Sequence, residues 1–416
     1  MTTALHNDRV VNGLLKADIG MCSPEQVLTR LSQDVLIKAD PTRSGSDDLW
    51  PCIWALASIL ERQFYGTIYI DAGISAPLAS PIQLGPRCVF VGNGFAAPQL
   101  EIGIGTPIHA TEAAWGDTRG NRITYRSLDD SGEYANPIGA FALAGYLGFA
   151  ALAHAAGIPP FHTAWQQSTI QLPRLAPTPM LPTTIVIMGL GQIGQAFLAL
   201  NFFLSNQIAM TVHLVDYDSF EDVNYRSQIL LNENSTSWLG QPKVGVMAQI
   251  CEDWGWKVSK EQTHIDWQWK NRLGSESVGF LGFDNMDARR AGVEGGFARL
   301  VECGVGSDFS KPRVSWHSLP PDRQIAKELF VDSKPAHFSI DPTLLKSLVD
   351  TPGECGRVEF EGVSATAPCL GVLAAAFTWM ELLNYSAGEI ETISGGAYAW
   401  SPLQPIQRDV FRVRDG

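Results

Sequence analysis

Residues Thr183 to Gly194 read Thr-Thr-Ile-Val-Ile-Met-Gly-Leu-Gly-Gln-Ile-Gly, and this stretch decides how the chain is understood. Thr184 to Met188 is a run of β-branched and apolar residues, the pattern of a strand buried on both faces. Gly189-Leu190-Gly191-Gln192-Ile193-Gly194 follows at once, and a helix is expected from about Gln195 to Ser205. Val212 to Asp216 reads as a second strand ending on a carboxylate. Together these make a β-α-β unit of about 30 residues, which implies a parallel sheet and a right-handed crossover. The glycines allow a tight turn and close backbone approach to a phosphate, and the helix N-terminus offers oriented N–H donors. Asp216, 22 positions after Gly194, can take ribose hydroxyls. Gly189, Gly191, Gly194 and Asp216 are therefore candidate nucleotide contacts, against the plainer reading of a β-α turn. The glycine pattern alone does not separate NAD from ATP.

The residues that follow bear on that choice. The chain continues Asp216-Tyr217-Asp218, then Val223-Asn224-Tyr225-Arg226-Ser227-Gln228, then Gly240-Gln241-Pro242-Lys243. A dinucleotide dehydrogenase has no general need for Arg and Lys here. An enzyme that cleaves ATP does, because cations must neutralise phosphate charge as the α-phosphorus is attacked. Val278 to Gly282 and Leu300 to Val305 read as further central strands. Phe283-Asp284-Asn285 leaves the first of them, with Arg289 four residues beyond Asn285. An aspartate at a parallel strand end can hold Mg²⁺ through one carboxylate plus phosphates. Each residue has a bland alternative: Lys243 as a solvated charge, Arg226 as a surface ion pair, Asp284 as a helix N-cap.

This ordered set resembles the superfamily of ubiquitin-activating and ThiF-type sulfur-carrier-activating enzymes, from Thr184 to about Asn384, roughly half the chain. The family pattern is a glycine loop, Asp-x-Asp, an Asn-x-x-Arg-Gln block, a Gly-x-x-Lys block and Asp-Asn after a later strand. The resemblance implies a Rossmann-like ATP-binding α/β domain. Its cofactor contacts would be Gly189, Gly191, Gly194, Asp216, Asp218, Asn224, Arg226, Gln228, Lys243, Asp284 and Asn285, with Asp216 on ribose. Asn224, Arg226 and Lys243 would meet the phosphates, and Asp284 would hold Mg²⁺. One departure stands: the family spaces Asn and Arg by three, whereas Ser227 fills that slot here and Arg226 precedes it. Glu354-Cys355-Gly356 through Ala367-Pro368-Cys369-Leu370-Gly371 resembles the family's crossover segment leading into a helix, expected here from about Leu370 to Leu383. The zinc-binding Cys-x-x-Cys pairs of the bacterial sulfur-carrier activators are missing, so zinc is not expected.

Activating enzymes of this kind use a thiol to take the acyl group from the adenylate, which requires exposure and thiolate character. The chain holds seven cysteines. Cys355, in a loop next to Gly356 and Arg357, is the candidate nucleophile. The absence of a catalytic cysteine is the next reading, ahead of Cys369 at a helix start, where the helix N-terminus can lower a thiol pKa. Cys303, inside an apolar strand, reads as an inert thiol, while Cys22, Cys52, Cys88 and Cys251 lie outside the recognisable site. His317 and His337 flank the crossover as possible proton carriers.

Working toward the N-terminus, Gln171 to Thr184 holds Pro173, Pro177, Pro179 and Pro182, a density that suits a semi-rigid spacer. It divides the chain into residues 1–170, a linker 171–184, and residues 185–416. In the first part, Gly66 to Ile70 and Cys88 to Val91 read as short buried strands, Ile123 to Tyr125 as a weaker one, and Pro51 to Arg62 as a helix. Gly139 to Gly157 reads as an Ala-rich buried helix rather than a membrane span, because it lacks strongly apolar character and basic flanks. Gly66 to Asp71, Val89 to Gly94 and that helix resemble a degraded copy of the second part, an inactive pseudo-adenylation domain. The alternative is an unrelated partner-binding α/β domain. Arg9 is the one early arginine that could reach ATP, as family members supply one from an N-terminal helix.

The 416 residues allow roughly two to three domains. Net charge of −13 argues against nucleic acid and anionic membrane as partners, and unpaired cysteines point to a reducing, cytoplasmic setting. The expectation is a Mg²⁺·ATP-dependent activating enzyme for a ubiquitin-like protein in a bacterial-type conjugation system, working as a homodimer or an internal pseudo-dimer. Its catalytic residues would be Cys355, Arg226 and Lys243, and its partners the modifier's C-terminal tail and a conjugating enzyme. The rivals are adenylation without thioester on a peptide, sulfur carrier or tRNA; an NAD-dependent oxidoreductase; and a scaffold with a vestigial nucleotide fold.

Overall fold

Each half of the chain builds a sheet by the same route. The structure, a computed structural model, describes residues 24–43, 48–73, 82–91, 100–106, 114–119, 122–125, 136–156, 168–171, 181–205, 210–231, 237–305, 313–319, 367–386, 392–398 and 407–411, with Val10, Leu14 and Phe330 as isolated positions. The first half runs α1 (Pro24–Leu31), β1 (Val35–Ala39), α2 (Leu49–Gln63), β2 (Ile68–Asp71), β3 (Cys88–Phe90), β4 (Leu100–Ile104), β5 (Ala114–Arg119), β6 (Arg122–Tyr125), α3 (Pro137–Ala156) and β7 (Ser168–Gln171). The second runs β8 (Thr184–Met188), α4 (Gln192–Ser205), β9 (Thr211–Val215), α5 (Asp222–Tyr225), α6 (Lys243–Asp253), β10 (Lys257–Glu261), β11 (Val278–Leu281), α7 (Met286–Val293), β12 (Arg299–Val305), β13 (Arg313–Leu319), α8 (Pro368–Ser386), β14 (Thr392–Tyr398) and β15 (Gln407–Phe411).

The first sheet has the order β3-β2-β1-β4-β5-β6-β7 and the second β10-β9-β8-β11-β12-β13-β14-β15. Counted from the first strand of each sheet, both read 3-2-1-4-5-6-7, and the second adds an eighth. In both, the first five strands in this order are parallel and the later ones antiparallel. The helices repeat too: α2 and α4 each link the first two strands of their sheet, and α3 and α8 each lie between the sixth and seventh. The architecture is therefore α/β with two parallel-cored sheets of common topology.

The halves share one core. Helix α3 meets α8 closely because glycines stand at the crossing. A Cβ at Gly145 would come 2.5 Å from Leu373 Cγ, and one at Gly148 would come 2.6 Å from Ile59 of α2. Trp54 of α2 lies against Phe203 of α4 at 5.6 Å between ring centroids, and Phe197 of α4 stacks on Trp379 of α8 at 4.7 Å. Truncating one such buried aromatic costs about 3–5 kcal/mol. The stretch Pro137–Ala155 is long and apolar enough to cross a membrane, and 94% of its apolar window is buried inside the protein.

Several expectations change. The strand Cys88–Phe90 is the edge of its sheet rather than a buried element, with Val89 42% exposed. Gly66 to Asp71 is not the first strand of the N-terminal repeat. Val35–Ala39 is, and it escaped reading because Lys38 interrupts an otherwise apolar run; the lysine pairs with Glu101 of β4 at 3.2 Å. The position that corresponds to the glycine loop thus follows β1, at residues 40–48, of which 44–47 lie outside the described residues. It does not fall within Val89 to Gly94, of which 92–94 lie outside them. Strand β10 is polar because it is an edge, and β13 alternates, burying Val314, Trp316 and Ser318. Strands β14 and β15 pair antiparallel and close the second sheet. Strand β7 ends at Gln171 and β8 begins at Thr184, with residues 172–180 of the linker outside the described set.

Candidate functional site

The three glycines do different things. Gly189 has φ +91°, and a Cβ there would come 2.9 Å from the Gly282 carbonyl carbon. A Cβ on Gly194 would sit 2.0 Å from the Gly189 carbonyl oxygen, so only hydrogen fits where helix α4 presses on the loop. A Cβ on Gly191 would meet nothing within 4 Å. Two glycines therefore let the turn close, and the third leaves open space at the start of α4, which begins at Gln192, inside the motif. Oriented N–H groups facing open space are what a phosphate group needs.

Asp216 follows β9 with 6% of its surface exposed. Its Oδ2 accepts the Leu190 N–H at 2.6 Å and its Oδ1 the Asp218 N–H at 2.8 Å. Burial pushes its pKa up, against the opposing pull of Lys243 and the two N–H groups. Asp218 is more exposed and pairs with Lys243 Nζ at 2.8 Å. Lys243 is the first residue of α6, and its own N–H donates to the Asp218 carbonyl at 2.9 Å. One aspartate of Asp-x-Asp thus ties the strand end to the glycine loop, and the other holds a buried ammonium at a helix N-terminus. Tyr217, between them, is 54% exposed and stacks on the His264 ring at 3.5 Å between centroids. Sequence reasoning missed this pair, although an aromatic residue between two acids was visible.

The Asn224 block turns toward protein. Asn224 is buried and its Oδ1 accepts the Glu221 N–H at 3.0 Å, half of a capping box for α5. Gln228 is buried, and its Oε1 accepts from Gln195 Nε2 of α4. Arg226 lies 3.9 Å over the Tyr65 ring and donates to the Phe64 and Gln63 carbonyls, each at 3.3 Å. Those are C-terminal carbonyls of α2, where a cation is favoured.

Asp284 is exposed after β11 and makes no hydrogen bond or ion pair among the described residues. The N-cap role weighed for it belongs to Asn285, whose Oδ1 accepts from the Asp287 and Ala288 N–H groups at 2.8 and 3.2 Å. Arg289 Nε donates to the Phe283 carbonyl at 2.7 Å, and its Nη1 lies 2.9 Å from fully buried Glu302. Glu302 also meets His317 Nδ1 at 2.6 Å. The turn carrying Asp284 is thus braced from β12, and an acid inside Leu300-Val301-Glu302-Cys303 was the visible sign of it. His317 is occupied in this brace. His337 and Arg9 lie outside the described residues.

Among the described cysteines, Cys52, Cys251, Cys303 and Cys369 are buried and Cys88 is partly so. Burial pushes the thiols of Cys88, Cys251 and Cys303 up. Cys369 is raised to about 12 by burial, so its place at the helix start does not lower it. Cys22 and Cys355 lie outside the described residues.

Strands β9, β8 and β11 are neighbours in the sheet, so Asp216, the glycine loop and Asp284 gather at one edge, at the carboxyl ends of parallel strands where α/β sheets bind ligands. The open helix start, the ammonium of Lys243 and the unengaged carboxylate of Asp284 fit a triphosphate with a divalent cation.

A family model described as the BilD C-terminal domain matches residues 181–389, from just before β8 to beyond α8. The bacterial E1-like protein BilD of Collimonas sp. (strain OK412) is 27% identical over 237 residues, covering 55% of this chain and 50% of that protein. The chain thus spans about half the length of this curated relative. Among solved structures, E. coli MccB with succinimide is similar at 15% identity over 55% of this chain and 63% of that one, with a TM-score of 0.37. E. coli MccB with ATP is similar at 15% identity over 67% and 73% of the two chains, with a TM-score of 0.35.

Proposed function

We propose, for a chain that belongs to the family of the BilD C-terminal domain, that it activates the C-terminal carboxylate of a ubiquitin-like protein with Mg²⁺·ATP. The observation that carries this is the convergence of an open glycine loop, the Lys243 ammonium and the unengaged Asp284 carboxylate at one sheet edge. A carboxylate oxygen of the modifier attacks the α-phosphorus, the bond to the β-phosphate oxygen breaks, and pyrophosphate leaves with its electron pair. The N–H groups at the start of α4 and the Lys243 ammonium stabilise the charge that develops. Asp284 would hold Mg²⁺, which neutralises phosphate oxygens. Asp216 receives ribose hydroxyls on lone pairs left by its two backbone donors.

In the second step the thiolate of Cys355 attacks the acyl carbon, AMP leaves, and the thiol proton passes to solvent. A conjugating enzyme then takes the acyl group. The choice of Cys355 is supported by the burial of Cys303 and Cys369, which leaves neither reactive. The N-terminal half is read as an inactive adenylation repeat, on the strength of its shared strand order and its lack of a glycine loop after β1.

The test mixes the protein with its small modifier, ATP and Mg²⁺ and runs a non-reducing gel beside a pyrophosphate assay. A thiol-sensitive band that vanishes in Cys355→Ala is expected. Pyrophosphate release without such a band selects adenylation alone, and binding of a reduced nicotinamide without ATP overturns the reading.

A further inference from the structure

Arg62 is a fully buried cation of α2 whose hydrogen bonds cross into the second half. Its side chain is 1% exposed and its Nη1 pairs with Glu61 at 2.8 Å. Its Nε donates to the Gln228 carbonyl at 3.3 Å, its Nη1 to the Tyr225 hydroxyl at 3.2 Å, and its guanidinium lies 4.5 Å over the Tyr225 ring. Gln228 in turn accepts from Gln195 Nε2. Gln195, with no surface exposed, also donates from Nε2 to the Leu190 carbonyl at 3.2 Å and accepts the Leu230 N–H on Oε1 at 3.2 Å. Leu190 lies in the glycine loop, and its own N–H goes to Asp216.

We infer that Arg62 is a positioning residue for the glycine loop, acting from the N-terminal half through Gln228 and Gln195. A buried ion pair within α2 contributes little to stability over an apolar filling of the same volume, so the Arg62 donors that cross to Gln228 and Tyr225 point to placement rather than cohesion. The relay has a fixed sense. Gln195 gives its amide donors to a carbonyl and a side-chain oxygen and receives a backbone N–H, so its amide has one satisfied orientation. Gln228 is held at both ends, by Arg62 on its carbonyl and Gln195 on its side chain. Leu190 is thereby clamped between Gln195 on its carbonyl and Asp216 on its N–H, in the loop whose amides would face the phosphates. The N-terminal half, which lacks a glycine loop, would set the shape of the loop in the other half. The nucleotide reading above is presupposed for the ligand, but the relay itself is present without one.

Four variants test it: Arg62→Met, which keeps volume and loses the donors, Arg62→Lys, Gln195→Met, and Tyr225→Phe, which removes one hydroxyl. Backbone hydrogen exchange of ligand-free protein over residues 189–195 is compared with ATP affinity by calorimetry, and folding is checked by thermal melting. Arg62→Met and Gln195→Met are expected to speed loop exchange and weaken ATP binding by roughly tenfold each, as for loss of about one buried hydrogen bond. Tyr225→Phe should shift both in the same direction by less, and Arg62→Lys should restore part of the loss. Folded variants whose loop exchange and ATP affinity stay within twofold of wild type overturn the relay. If Arg62→Met does not fold, Gln195→Met and Tyr225→Phe decide by the same measurements. Wild type that fails to bind ATP would sink the nucleotide reading, while the exchange data on ligand-free protein would still judge the relay.

Discussion

The loop after β1 and the loop after β8 leave corresponding strands of two sheets with one topology, yet they are built for opposite ends. After β8, Gly189 and Gly194 let the turn close and Gly191 leaves open space at the helix start. After β1, Pro41–Arg43 forms a single tight turn, Asp40 Oδ1 accepts the Thr42 N–H at 2.9 Å, and Arg43 pairs with Asp48 out of contact with water. In the second sheet the helix start adjoins open space at Gly191, while the first uses the same place for an internal ion pair. A shared topology sets where a site can be, and the residues of one loop decide whether it exists.

Removing the ion pair should produce the largest effect. Asp48→Ala leaves the Arg43 charge buried without this partner, which costs about 3–5 kcal/mol of stability. Urea unfolding measures it, and the protein that remains folded should bind ATP within twofold of wild type. A loss of ATP affinity without loss of stability would erase the contrast between the loops. Lys243→Ala is the mirror experiment. It removes the preorganised cation at the second loop's edge and should lower modifier-dependent pyrophosphate release by roughly 10²–10³-fold. The change in stability should be smaller than for Asp48→Ala, because only Lys243 of this pair is buried and Asp218 is largely exposed. Unchanged pyrophosphate release would return Lys243 to the status of a solvated charge.

The same contrast explains what could be read from residue order. The β8-loop-α4-β9 unit was legible because its glycines are required by backbone contact: Gly194 touches the Gly189 carbonyl, and no other residue fits. The segment after Ala39 carries no such constraint, so residue order does not mark it as the counterpart of the glycine loop. Strand β1 hid behind Lys38, whose charge is met by Glu101 sixty-three positions away. The Asn224 block was legible as a set, but not its targets. That Arg226 reaches α2 depends on how the halves meet, and that Gln228 reaches α4 depends on packing within the second half; short-range spacing encodes neither. Glu302 needed the same long-range information, since its partners come from α7 and β13.

A smaller effect would sharpen the edge of the open site. Tyr217 and His264 present a stacked aromatic pair beside Asp216, and base stacking on an aromatic ring is worth roughly 1–3 kcal/mol. Tyr217→Ala should weaken ATP about tenfold while leaving inorganic triphosphate affinity unaltered, as read by competition binding. Equal losses for both ligands would mean that the side chain shapes the phosphate end instead.

The smallest effect concerns Asp216 and has a distinctive sign. Burial raises its pKa in the folded protein above the ordinary 3.8. The folded state therefore holds this proton more tightly than the unfolded chain does. The associated stability is complete below the ordinary value and is lost as pH rises through the raised one. Most native carboxylates behave the other way, so the comparison with Asp216→Asn isolates it: wild type should lose stability relative to the variant as pH climbs from 3.8 toward neutrality. Urea midpoints across that range read the difference. Bound ATP should flatten the slope, because ribose hydroxyls donating to the carboxylate favour its charged form and offset the burial. A slope that ATP does not change would place the ribose elsewhere, and would leave Asp216 with only its work inside the loop.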